Sequence, residues 1–223
     1  MTKSLFIQAI TKVTAGAVLM GLLLFLPAGT LDYPEGWRFM ALLFVPMVIA
    51  GFVMMAKCPD LLRKRLNMKE KLGEQKQVIA ASIVMFVSGF IACSLSFRFG
   101  FLMLPDWISW AGSALFLLAY LLYAQVLREN AFLSRTIEIQ ENQHVVDTGL
   151  YGVVRHPMYS ATILLFLSMP LILRSTAGLV IFLAYPAIIV KRIKGEEAFL
   201  SDNLEGYTAY TRKVRWRLLP FIW

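Results

Sequence analysis

The chain has 223 residues, of which 58% are hydrophobic and only 16% charged, with a formal net charge of +8. A soluble domain carries about 25% charged residues, so too little polar sequence is left to cover a surface facing water, and disorder, which needs low hydrophobicity and high charge, is excluded as well. The two cysteines, Cys58 and Cys93, stand far apart and cannot staple a secreted disulfide fold. What survives is an integral helical membrane protein.

Six runs free of Asp, Glu, Lys and Arg cover residues 13–31, 39–56, 78–97, 107–127, 157–173 and 175–190, half the chain. A helix rises about 1.5 Å per residue, so roughly 20 residues cross a 30 Å hydrocarbon layer. The first four runs meet that length. The last two are short and parted only by Arg174, which predicts a tight helical hairpin. Helices are preferred because lipid satisfies no backbone polar group, and no alternating barrel pattern is present. Pro46, Pro170 and Pro186 lie inside runs and are expected to kink their helices. Lys3 and Lys12 give the first run the look of a signal peptide. The run is too long for a signal core and shows no small-x-small cleavage site, so it reads as an uncleaved span.

Charge gives the orientation. On a six-span chain eighteen Lys and Arg residues fall on one side and three, Arg38, Arg98 and Arg174, on the other, with Lys12 at the start of the first span assigned to neither. The positive-inside rule then places both termini, the 57–77 loop and the 128–155 loop in the cytoplasm. An odd number of spans would scramble this segregation. The net positive charge calls for no nucleic-acid partner, because anionic headgroups of membrane lipids account for it.

Polar sequence is concentrated in three places. The basic 57–77 loop reads as a solvated or headgroup-contacting loop. The stretches 128–156 and 191–223 flank the final hairpin, so they are expected to meet at one membrane face and form a pocket there. Residues 1–127 form four spans and the basic loop, and 128–223 complete a single integrated domain. Both histidines, His144 and His156, fall in the pocket-forming part. Arg155 and His156 precede Pro157 at the mouth of a span, with Tyr159 nearby. Interfacial anchoring and chemistry account for them equally well. Asp147-Thr148-Gly149 is a turn signal. Glu196 and Glu197 follow Arg192 by four and five residues, a spacing that taken alone gives a surface salt bridge. Tyr207 and Tyr210, three apart, taken alone are interface aromatics. No Gly-rich phosphate loop, Cys/His metal spacing or Ser–His–Asp order is present, so no metal is expected.

Two motifs together carry a resemblance. The first is Gln143-His144-Val145-Val146-Asp147-Thr148-Gly149-Leu150-Tyr151 followed by Arg155-His156-Pro157-Met158-Tyr159. The second is Arg192, Glu196, Glu197, Leu200, Tyr207, Tyr210 and Pro220 in that order. The pair closely resembles the isoprenylcysteine carboxyl methyltransferase family, integral membrane enzymes that use S-adenosyl-L-methionine. The likeness runs from Asn130 to the end. The family's histidine before its Leu-Val pair falls on Gln143. Its Phe-Gly-x-Glu-Tyr is one residue shorter here, as Leu204-Glu205-Gly206-Tyr207, and Ala161 stands where it has glycine.

The resemblance implies an all-α membrane fold of about six spans, the last two a short hairpin, with a cytoplasmic C-terminal helical tail and residues 128–223 as the catalytic region. It implies a cofactor site drawn from Gln143, His144, Val145, Val146, Gly149, Tyr151, Arg155, His156, Glu196 and Glu197, with Arg192 facing the acceptor. Tyr159 is the candidate base where an acceptor needs deprotonation. The implied function is methyl transfer to a small lipophilic or lipid-anchored acceptor, foremost a carboxylate such as a prenylcysteine α-carboxyl. Phospholipid or thiol methylation and an NADPH-using membrane reductase are alternatives that share this part of the chain. A transporter is disfavoured, because transporters place charged residues near the bilayer midplane and none lies within the six runs.

Overall fold

A computed structural model of the chain describes residues 3–66, 73–133 and 139–223. Lys69, Lys71 and Arg135, counted above among the cations of one face, lie outside the described residues. The helices are α1 (Lys3–Ala28), α2 (Pro34–Lys57), α3 (Pro59–Leu66), α4 (Gly73–Phe99), α5 (Asp106–Glu129), a 3₁₀ turn (Gly149–Gly152), α6 (Pro157–Ile172), α7 (Thr176–Phe182), α8 (Ala184–Asn203) and α9 (Tyr207–Lys213). Proline opens α2 and α6, where its missing N–H costs nothing and its fixed φ suits the first turn.

Among the described residues five helices are long and apolar enough to cross a membrane: Ser4–Ala28, Pro34–Lys57, Lys76–Phe99, Asp106–Glu129 and Thr176–Asn203. Their outward residues agree with that setting, since Leu22, Phe52, Val84 and Leu121 are all more than half exposed. Water would penalise such a surface and lipid does not. The fifth apolar run forms α6, whose 16 residues rise only about 24 Å. The hairpin is therefore lopsided. A turn at 173–175 joins short α6 to α7 and α8, which continue each other and carry the helix to Asn203, well past the end of the apolar run at residue 190. Their one interruption, at Leu183, sits three residues before Pro186, which lacks an N–H and whose ring crowds the carbonyl four residues back. α2 and α6 pass through Pro46 and Pro170 without a break.

The core is an aromatic column between α2, α4, α5 and α7. Phe39 and Phe90 lie 5.4 Å apart centroid to centroid, and Phe90 and Phe182 are also 5.4 Å apart. The most intimate crossing is α5 on α6, and Gly112 permits it. A Cβ there would stand 2.8 Å from Leu171 Cβ and 2.9 Å from the backbone nitrogen of Ile172. Close approach through small residues is how membrane helices gain packing. Gly112→Leu is therefore expected to cost at least about 2–3 kcal/mol, since a backbone neighbour cannot rotate away. Thermal unfolding in detergent measures the loss, and an unchanged midpoint would contradict the crossing.

Arg174 fixes the α6–α7 turn from its own left-handed backbone, φ 57°. It pairs with Glu35 (3.1 Å) and Asp106, and its Nε donates to the Leu104 carbonyl at 2.8 Å. This end is remote from the two polar stretches, which gather at the other end of the bundle.

Candidate active site

At that other end, α5 stops at Asn130, the 139–148 segment crosses the helix ends, and α6, α8 and α9 supply the remaining walls. Together they line a cleft that is open to solvent. Gln143, His144, Val145, Val146, Tyr151, Arg155, His156, Tyr159, Arg192 and Glu196 all line it. Two residues named from the sequence do not. Gly149 stands behind the wall in the left-handed region, φ 56°, where a Cβ would lie 2.5 Å from the carboxyl carbon of Glu129. That carboxylate accepts the Leu150 N–H at 2.8 Å and so anchors the 3₁₀ turn that presents Tyr151. Glu197 also turns its carboxylate away, for a reason its partners make plain.

The Arg155, His156 and Glu197 side chains form a clamp. Arg155 Nε donates to Glu197 Oε1 (2.7 Å), His156 Nε2 to the same oxygen (3.1 Å) and Arg217 Nε to Oε2 (2.8 Å). A carboxylate only accepts, so His156 carries its proton on Nε2. Arg155 Nη1 donates further to the carbonyls of Val214 and Arg215, both at 2.9 Å. The backbone repeats the attachment, with the N–H groups of Arg155 and His156 donating to the carbonyls of Trp216 (2.8 Å) and Arg217 (2.9 Å). Arg155 and His156 are buried, 7% and 5% exposed. The clamp thus ties the C-terminal tail to the mouth of α6. Lys213 adds an outer tie to Asp147 at 2.6 Å, holding that carboxyl below its usual range.

A second group faces inward. Tyr159 donates its hydroxyl proton to Glu196 Oε2 (2.5 Å) and accepts from Arg192 Nε (2.9 Å). One phenol oxygen thus holds an acid and a guanidinium in fixed relation on the cleft wall. The spacing of Arg192 and Glu196 is that of a surface pair, yet the pair is built into the wall through Tyr159.

Tyr207 and Tyr210 complete the enclosure. They are buried rather than interfacial, 4% and 6% exposed, and both line the cleft. Tyr210 donates to the Tyr151 carbonyl at 2.8 Å. The Tyr207 hydroxyl has no hydrogen-bond partner among the described residues. Burial, then Glu197 and Glu196, raise its ionisation well above that of an ordinary phenol, so it stays protonated. Burial raises Tyr151 in the same way.

Asn130, Phe132, Leu133, Met158, Leu200 and Leu204 also wall the cleft. Met158, Leu200 and Leu204 stand within the two motifs, whereas Phe132 and Leu133, next to Asn130, belong to neither.

The phospholipid methyltransferase family matches residues 107–205, a span from the start of α5 to just past α8. No curated protein matches the chain. Among solved structures, a eukaryotic intramembrane Ras methyltransferase, isoprenylcysteine carboxyl methyltransferase, superposes with a TM-score of 0.55 at 19% identity, covering 92% of this chain and 74% of that one. At such identity the likeness is one of fold. With the family match over residues 107–205, it supports an integral, multi-pass membrane methyltransferase.

Proposed function

We propose that the chain is an S-adenosyl-L-methionine-dependent methyltransferase whose cleft opens to the cytoplasm and whose acceptor is a lipophilic carboxylate, of the prenylcysteine type. The observation that carries this reading is the cleft itself. Two polar stretches separated by a helical hairpin meet to line it, and Tyr159 sets Glu196 and Arg192 side by side within it.

The residues present suit the cofactor. Glu196 offers a carboxylate to an ammonium or to ribose hydroxyls, the Tyr207 hydroxyl is buried and unmatched among the described residues, and Tyr151, Tyr207 and Tyr210 bring aromatic surface, which tolerates a cation. When bound, the cofactor supplies a methyl group on a positively charged sulfur, open to in-line displacement. The protein's own share is alignment, which supplies about 7–11 kcal/mol of such a barrier. Arg192 presents a planar fork that matches a carboxylate. Tyr159 fixes the direction of that fork through Nε. The tail, held by the Glu197 clamp, places Tyr207 and Tyr210 in the cleft wall. No base is needed, because a carboxylate with a pKa near 4 is already ionised at neutral pH.

Isothermal titration with S-adenosylhomocysteine tests the reading. Saturable binding by the intact protein in detergent is expected, and Glu196→Ala should weaken it about tenfold, the value of one charge-assisted hydrogen bond. Absence of binding by the unaltered protein would overturn the reading. A phospholipid acceptor is the second reading, favoured by the family that matches residues 107–205, since Arg192 suits a phosphate as a charge.

A further inference from the structure

Among the described residues that line the cleft, the Tyr207 hydroxyl is the buried side-chain polar atom left without a hydrogen-bond partner. A buried phenol without a hydrogen bond costs about 1–3 kcal/mol, so a structure that keeps one is holding it for a partner. The ring is well fixed. It packs with Tyr210, Val214, Val145, Leu200 and Leu204, and its centroid lies 5.8 Å from that of Tyr210. The hydroxyl therefore has a definite address in the wall, carried on the segment that the Glu197 clamp docks.

We propose that Tyr207 is a cofactor-binding residue whose hydroxyl donates to a neutral hydroxyl of the bound nucleoside, the ribose rather than the amino-acid end. The assignment rests on the reading of the cleft as a cofactor site. Its chemistry follows from the neighbours. Glu196 lines the same wall and Glu197 stands close behind it. Glu197 is neutralised by Arg155 and Arg217, so a ligand carboxylate brought to Tyr207 would meet the charge of Glu196 on the same wall, and like charges repel. A ribose hydroxyl meets no such cost, because it accepts from the phenol and can donate to a carboxylate in turn.

The test uses two ligands and one conservative variant. S-adenosylhomocysteine carries both ribose and amino acid. 5′-Methylthioadenosine keeps the ribose and lacks the amino acid. Tyr207→Phe, titrated in detergent, should lose about tenfold in affinity for both ligands. Thermal unfolding without ligand should give a midpoint equal to or above that of the parent, since the variant discards an unsatisfied buried hydroxyl and keeps the ring. Four results would overturn the proposal. Affinities within about twofold of the parent would mean no contact. A lowered ligand-free midpoint would mean that the hydroxyl has a partner within the protein. Weakening confined to S-adenosylhomocysteine would move the contact to the amino-acid end. Failure of the unaltered protein to bind either ligand would remove this proposal together with the functional reading, whereas in the first three cases that reading stands.

Discussion

Glu197→Ala is expected to lower the stability of the folded protein by about 3–5 kcal/mol, the usual consequence of deleting one member of a buried ion cluster. The side chain is only 12% exposed and satisfies Arg155, His156 and Arg217 at once. Deleting it strands two cationic groups, and Arg155 is almost wholly buried. Stranded charge is the costly outcome, because the desolvation already incurred is no longer offset. The loss should appear first in the tail. Arg217 is released from α8, and the carbonyls of Val214 and Arg215 depend on the same Arg155 guanidinium that the carboxylate orients. Thermal unfolding in detergent should fall by about 10 °C, and trypsin should cut sooner around Arg212, Lys213 and Arg215. S-adenosylhomocysteine binding should fall as well, since Tyr207 and Tyr210 belong to the segment the clamp holds. A variant as stable and as protease-resistant as the parent would show that the clamp carries no load.

The contrast between Glu196 and Glu197 shows how far the sequence could be read. Adjacent helical residues point about 100° apart, so the two carboxylates had to serve different faces. Which face met the cleft was not legible, because that depends on where α6 and the tail lie against α8. The four long spans were legible because a lipid-facing helix must be apolar all round, a property composition alone reveals. The end of the last helix was not. The uncharged run stops at residue 190, but the backbone continues to Asn203, and hydropathy marks where a helix leaves lipid rather than where it ends. That polar continuation bears Arg192, Glu196 and Glu197, so the apolar hairpin and the site are parts of one rod. Gly149 illustrates the same limit. Its turn was legible from Asp147-Thr148-Gly149, while the close approach of Glu129, a residue from another helix end, required the fold. Tyr207 and Tyr210 were recognisable as one helix face, but nothing local says whether such a face looks toward lipid or into a cleft.

Arg192→Lys separates the two acceptor readings, because it keeps the charge and removes the planar fork. A carboxylate gripped by two parallel hydrogen bonds loses one of them and its orientation, and a misplacement of about 1 Å can cost 10²-fold in rate. The expected result for a prenylcysteine-type acid is therefore a fall of about 100-fold in kcat/KM for the acceptor, with S-adenosylhomocysteine affinity within about twofold of the parent. A phosphate headgroup is satisfied by a point charge, which lysine also supplies, so a phospholipid acceptor predicts only a small loss. The Tyr159 hydroxyl sharpens the comparison. It accepts from Arg192 Nε and donates to Glu196, so Tyr159→Phe removes the strut while leaving both charges in place. With a carboxylate acceptor, Tyr159→Phe should lower the methylation rate at all pH values alike, since no proton leaves the acceptor. A thiol acceptor would behave otherwise, its rate climbing toward a pKa near 8.5 as thiolate forms. Radiolabelled methyl transfer to prenylcysteine acids, phospholipids and thiols, measured on the parent, Arg192→Lys and Tyr159→Phe across pH 6–9, distinguishes these patterns. Equal loss of cofactor affinity and acceptor turnover in Arg192→Lys would assign the guanidinium to the cofactor instead, and the carboxylate reading would lose its main support.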